Sequence, residues 1–419
     1  MIFPKMVRIR QTLPSLPLAD PAAEVRRTLV DAGFASKIRP GAQVGITAGS
    51  RGIRDIALIL RQVVNLVKSL GGRPVILAAM GSHGGGVPQG QLALLHSLGI
   101  SEDRLGAPLD CSIDSLAVGR AFYGDVFIKK SALQCDAIVV VNRIKPHTSF
   151  HGEHESGLLK MLAVGLGGPA GAASLHGCEP GLLSRAVAEG GLVVLNCAPV
   201  VLGLAVLEDS YEQTRKLVAL QPEDFLHGEK SLLKEARQFL PGLPTADLDV
   251  LVVDQIGKNI SGTGMDTNVI GRLRIQGATE PQIPSIKRIV VLDLAGEAHG
   301  NAYGIGLADF TTERLVAKLD RRVVSLNALT STFVQRAMIP MSLPNDREAI
   351  AATIRSLGGR DVAGLKMARI YNTLHLFELL VSVKVLQEIE HLPYIQVLGS
   401  PEDITFTTEG NLTPFCSFF

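Results

Sequence analysis

The chain has 419 residues, 46% hydrophobic and 19% charged, which is enough apolar material for a large buried core and too much for a disordered chain. Lys and Arg number 41 against 40 Asp and Glu, a formal charge of +1, so the charge balance gives no support to nucleic acid or an anionic membrane as a partner. Five scattered cysteines with no CxxC pair exclude a thiolate zinc cluster and disfavour a disulfide scaffold; with no signal-like leader and no apolar run of about 20 residues, the expectation is a cytoplasmic protein.

Taken in chain order, strands are expected at 43–49 (QVGITAG), 74–80 (PVILAAM), 137–142 (AIVVVN), 192–197 (LVVLNC), 249–254 (DVLVVD), 288–294 (RIVVLDL), 322–327 (RVVSLN) and 394–399 (YIQVLG). Each is a short β-branched run, apolar on both faces, as in a buried parallel sheet. Between the first two, IRDIALILRQVVNLVKSLGG (53–72) predicts an amphipathic helix ended by glycines. A second helix is expected after Pro88, and NDREAIAATIRSLGG (345–359) carries an Asn or Asp cap and a Gly-Gly stop. The Pro/Gly-rich stretch LPGLPTADLD (240–249) follows a charged helical segment and marks a boundary. The expected architecture is two α/β domains with mainly parallel sheets and an active-site cleft between them. An N-terminal domain spans 1–243, with the tail 400–419 as a candidate for completing it, and a C-terminal domain spans 244–399.

In open α/β sheets ligands bind beyond the carboxyl ends of strands, so polar loops at those ends are the candidate sites. Ser50 and Arg51 follow the first strand; a helix start beside an arginine fork suits a carboxylate or phosphate, although a capping serine and a solvated arginine would look the same. The next strand leads to GSHGGGVPQG (81–90), where His83 lies among glycines that allow close backbone approach. This loop is neither GxGxxG nor a P-loop.

The densest segment is VNRIKPHTSFHGEHESGLLKMLAVGLGG (141–168). His147, after Pro146, is a candidate general acid/base, while His151 and His154 read as polar loop residues beside Glu153 and Glu155. Lys160 sits in an apolar stretch where an ammonium is costly unless paired, used chemically or snorkelled to the surface. A protein-only zinc site is disfavoured because no HExxH pair is present. His176 is open between a core histidine and a metal ligand, and Cys178 between a small buried residue and a soft neighbour to the metal. At the strand end near 254, Asp254, Gln255 and Lys258 could hold a carboxylate or hydroxyl. No GxSxG elbow and no dinucleotide glycine fingerprint are present.

As an ordered set, these motifs resemble the nickel-dependent lactate racemase family, whose members use a nickel-pincer nucleotide. The resemblance runs roughly from residue 40 to 320. It implies that Arg51 in SRG binds substrate, that His83 in GSHGGG and His147 in IKPHT are the catalytic histidines, and that Lys160 in SGLLK bonds the cofactor covalently. Ser50, Gly81 and Ser82 are implied to line the cofactor, His176 to ligate nickel, and Gln255 and Lys258 to contact substrate. The implied reaction inverts the hydroxyl-bearing α-carbon of a 2-hydroxy acid by reversible hydride transfer, with cofactor-biosynthesis enzymes as partners. Two departures from the family pattern, a longer segment from His147 to Lys160 carrying His151, Glu153, His154 and Glu155, and the lack of tryptophan, lead us to expect a substrate larger or more polar than lactate, such as a sugar acid or malate. The competing readings are a non-catalytic nucleotide- or metabolite-binding or cofactor-processing protein, and an enzyme that uses the same cofactor for another hydride transfer.

Overall fold

A computed structural model of the chain describes residues 3–50, 52–359 and 361–414. Strand β1 (Met6–Gln11) opens the described chain. It is followed by β2 (Gln43–Ala48), β3 (Arg73–Ala78), β4 (Leu109–Asp110), β5 (Ser115–Ala121), β6 (Gly124–Lys129), β7 (Ala137–Arg143), β8 (Val200–Glu208) and β9 (Thr214–Leu220). The remaining strands are β10 (Asp247–Ile256), β11 (Ser285–Leu294), β12 (Phe310–Thr312), β13 (Met341–Leu343), β14 (Met367–Ile370), β15 (Glu378–Ser382) and β16 (Ile395–Val397).

Two α/β units result, one continuous from Pro14 to Leu240 and one split, formed by the described residues before and after it. The chain passes between them at Leu240, inside the Pro/Gly-rich stretch, but among the described residues neither the first strand nor the tail joins the continuous unit as the 1–243 assignment expected. Strand β1 is hydrogen-bonded between β15 and β16, and Met6 also pairs with Glu402. The described part of the 400–419 tail therefore completes the split unit, because β1, with Met6, Val7, Ile9 and Gln11 buried, finds its backbone partners there.

The sheet of the continuous unit has the order β4-β3-β2-β7-β8-β9, parallel except for β9. The Ile56–Ser69 helix buries Ile56, Ile59, Leu60, Val63, Val64 and Val67, a period-3.6 stripe. From β2 the chain winds outward through β3 and β4, then returns to β7 on the other side, so strand order reverses between β2 and β7. The split unit repeats this device in an eight-stranded sheet, β13-β12-β11-β10-β14-β15-β1-β16, which reverses between β10 and β14. Such reversals leave a crevice outside the carboxyl ends of the two central strands.

Three expected strands differ. Residues 192–197 close the Leu183–Cys197 helix, which buries Ala186, Val187, Gly190, Gly191 and Val194 at helical spacing; the strand follows as β8. Residues 322–327 lie in the Arg321–Ser331 helix, whose start Asp320 caps by accepting from the Arg322 and Val323 N–H groups. Of 394–399 only Ile395–Val397 is strand, and it runs antiparallel to β1 with Gln396 and Val397 exposed. Among the described residues no single helix is long and apolar enough to cross a membrane. Cys111, Cys135, Cys178 and Cys197 are free thiols, and Cys416 lies outside the described residues.

Candidate functional site

In the continuous unit, the loops after β2, β3 and β7 sit at or beside the strand-order reversal, and they carry Ser50, His83 and His147. Ser50 does not cap the following helix, whose N-cap is Asp55. Its Oγ instead lies 2.5 Å from His83 Nδ1, which ties the first two loops together. Arg51 lies outside the described residues. Gly81 has φ +58°, donates its N–H to Gly165 O at 3.2 Å, and leaves the space of a side chain to Val164 and Ala172. It thereby packs the His83 loop onto the helical segment behind Lys160. Ser82, between Gly81 and His83 in the chain, is partly exposed. Gly84 and Gly90 touch backbone to backbone, where a Cβ on either would overlap the other.

His147 is held from several sides. Its N–H donates to Glu155 Oε2 at 2.5 Å, its Nδ1 accepts from the Ser149 N–H at 3.1 Å, and its ring stacks on Phe150 with centroids 4.3 Å apart. Accepting at Nδ1 places the proton of the neutral ring on Nε2. Glu155, with 0% exposure, also accepts from the Gly152 N–H at 3.0 Å and from Arg237 at 2.6 Å. Burial alone would raise its pKa, but hydrogen bonds from His151, the His147 and Gly152 N–H groups and Arg237 hold the carboxyl below its ordinary range.

Lys160 ends the short Leu158–Lys160 helix, and its Nζ lies 5.7 Å from the centre of the same Phe150 ring. A π-helical turn follows at Met161–Gly165, with the Leu166 N–H donating to Met161 O at 2.8 Å; such turns recur at functional sites. Glu229 holds the start of this segment. Fully buried, it accepts the Leu159 N–H at 3.0 Å, and its carboxylate fills the space that a side chain on Gly157 would take. From below, the buried Lys129 donates to Ala78 O at 3.2 Å and Asp110 O at 3.1 Å, while its N–H holds Leu166 O at 2.8 Å. Burial lowers the pKa of that ammonium, with Asp110 opposing.

His176, at the end of the Gly168–His176 helix, has a buried Nδ1 with no hydrogen-bond partner. Burial, and then the charge of Lys160, pushes its pKa down to about 4. It is a neutral imidazole with an unused ring nitrogen beside Lys160, the chemistry a single-histidine ligand to a metal needs. No group of three or more metal-binding side chains occurs among the described residues. Cys178 is partly buried.

In the split unit, Gln255 lies at the carboxyl end of β10 and its N–H donates to Tyr371 O at 2.9 Å. Lys258 donates to Gly262 O at 2.6 Å and lies 4.7 Å above the Tyr303 ring. Asp254 is occupied by Arg369, which donates from Nε and Nη2 to its two oxygens at 2.8 Å each, so it pairs within the core and does not join Gln255 and Lys258 as a ligand group. After β14, the other strand of the reversal, buried Asn372 accepts from the Leu374 and His375 N–H groups and orients the His375 ring through Nδ1 at 3.0 Å.

The structure thus brings Ser50 to His83, and His147, Lys160 and His176 into one segment, with Gln255 and Lys258 on the other unit. Glu153 pairs with Lys230, His154 lies 3.7 Å from Glu229, and Glu155 grips His147, so these residues secure the loop. Sequence reading missed Phe150, Glu229, Arg237 and His375, whose signals are tertiary.

No family model matches the chain, and no curated protein matches it in sequence. Among solved structures, the lactate racemase apoprotein from Thermoanaerobacterium thermosaccharolyticum is similar, with a TM-score of 0.51 at 13% identity over 88% of this chain and 98% of that chain. At that identity the likeness is one of fold: this chain has the α/β fold of a lactate racemase apoprotein.

Proposed function

We propose that the protein is a racemase or epimerase of a 2-hydroxy acid that works with a nickel-pincer nucleotide. The observation that carries the reading is Lys160 beside a neutral His176 whose buried Nδ1 has no hydrogen-bond partner, in a chain with the fold of a racemase apoprotein. Lys160 would hold the nucleotide covalently and His176 its nickel, with Ser50, Gly81 and Ser82 along it. When bound, such a cofactor supplies an acceptor and donor of hydride, which suits a substrate whose α C–H is too weakly acidic for simple proton abstraction.

The protein's own part is proton handling and orientation. His83 takes the hydroxyl proton at Nε2, since Ser50 engages its Nδ1. His147 meets the oxygen as an Nε2–H hydrogen-bond donor; to return a proton it must first be protonated at Nδ1, which releases the Ser149 N–H, and the proton that His83 took up then replaces, through solvent, the one His147 gives, so that exchange of the two roles completes inversion. Arg51, Gln255 and Lys258 hold the carboxylate and polarise the carbonyl oxygen that develops. A sugar acid or malate is the substrate class in view, and the enzymes that make the cofactor are the partners.

Intact and peptide mass spectrometry with nickel analysis, on protein produced together with cofactor-making enzymes, tests this. The expected result is a nucleotide-sized adduct on Lys160, lost in Lys160→Ala, with nickel content falling in His176→Ala, and turnover of gluconate or malate above lactate. An unmodified Lys160 in a host that loads a control racemase would overturn the reading in favour of a binding protein.

A further inference from the structure

We propose that Glu155 is a positioning residue for His147, fixing by its carboxylate the backbone from which the imidazole projects. The reaction that His147 serves rests on the racemase reading above, whereas the contacts do not. An ionised carboxylate with no solvent exposure is expensive to bury, so a loop that needed only closure would not place one here. This loop is already closed at its base, where Lys145 and Ser156 exchange backbone hydrogen bonds at 3.0 and 3.2 Å. What Glu155 adds is a rigid aim for residue 147, through bonds to the His147 and Gly152 N–H groups, and a fixed negative charge 2.5 Å from the backbone nitrogen of the residue that bears the imidazole.

The support comes from outside the loop. The Phe225–Arg237 helix sends Arg237 to Glu155 and to Gly152 O, Lys230 to Glu153, and Glu229 to the Leu159 N–H. The titratable and charged groups facing Glu155 are His151, 3.6 Å away on the same loop, and Arg237; Lys160 lies against the Phe150 ring on which His147 stacks. A carboxylate near an imidazole favours the charged ring and a guanidinium disfavours it. Removing the two charges one at a time must therefore move His147 in opposite directions.

The test is histidine-labelled NMR on the full-length protein, following the His147 ring with pH and the exchange of its amide proton. Glu155→Gln should lower the His147 titration midpoint and speed exchange of the His147 amide about tenfold or more, whereas Arg237→Gln, at a half-exposed residue, should raise the midpoint. In loaded enzyme, Glu155→Gln should lower kcat about tenfold or more with little change in KM, and the kinetic pKa should shift with the ring. Equal shifts of the midpoint in both variants, or none, would refute the proposal, because a loop that merely loosens moves His147 the same way in each. If Glu155→Gln does not fold, an unmoved midpoint in Arg237→Gln refutes it. Absence of a Lys160 adduct would sink the racemase reading and leave the NMR result standing.

Discussion

His176 enters the folded protein as a neutral ring, with burial and Lys160 taking its pKa from 6.5 to about 4. Between those two values the unfolded chain holds the extra proton and the folded protein does not, so stability must fall as pH drops from about 6.5 to about 4. Urea unfolding of the cofactor-free protein should show that slope, and His176→Gln should flatten it. Glu155 gives a second acid dependence in a lower window. Its folded pKa lies below the ordinary 4.5, so its contribution is whole above that value and is lost as pH falls through the depressed one. Protection of the His147 amide should follow, holding at pH 5 and disappearing at lower pH in wild type. If protection persisted in strong acid, Glu155 would not be what holds that amide.

At the scale of elements, the three-residue helix that ends in Lys160 is too short to stand on its own propensity. It stands because Glu229 accepts the Leu159 N–H and because Gly157 makes room for that carboxylate. Gly157→Ala would push Glu229 away and strand a buried donor, at a cost of about 2 kcal/mol; the denaturant midpoint measures it, and Gly177→Ala, where the nearest atom is 3.3 Å away, is the milder control. The same elements show what could be read from the sequence. Strands β2, β3, β7, β10 and β11 were legible because both of their faces are buried, and so the loops bearing His83, His147 and Gln255 could be found. Residues 192–197 misled because Val193 and Val194 favour strands locally while the burial pattern from Ala186 onward is helical. Strands β14 and β15 escaped notice, being short, and with them went His375. Glu155 read as a loop carboxylate because its partners Arg237 and His147 are joined only by the fold.

For the whole molecule, the order of the chain matters more than any one contact. The continuous unit has its own parallel sheet and its own core, with the Ile56–Ser69 helix packed on β2 and β3, and a fragment of residues 14–240 should unfold cooperatively by circular dichroism. Residues 241–414 without the first strand should not, since β1 lies inside their sheet, between β15 and β16. That placement sets a timetable for biosynthesis. Arg8 and its partner Glu378 are 370 positions apart, so at roughly 5 to 20 residues per second the first strand leaves the ribosome some 20 to 75 seconds before its neighbour exists. A bare apolar strand would be an aggregation seed for all of that time. MVRIRQ is not bare: Arg8 and Arg10 alternate with Val7 and Ile9, and like charges on an open edge repel a second nascent copy. The two arginines later bound by Glu378 keep the strand solitary until the ribosome delivers its partner.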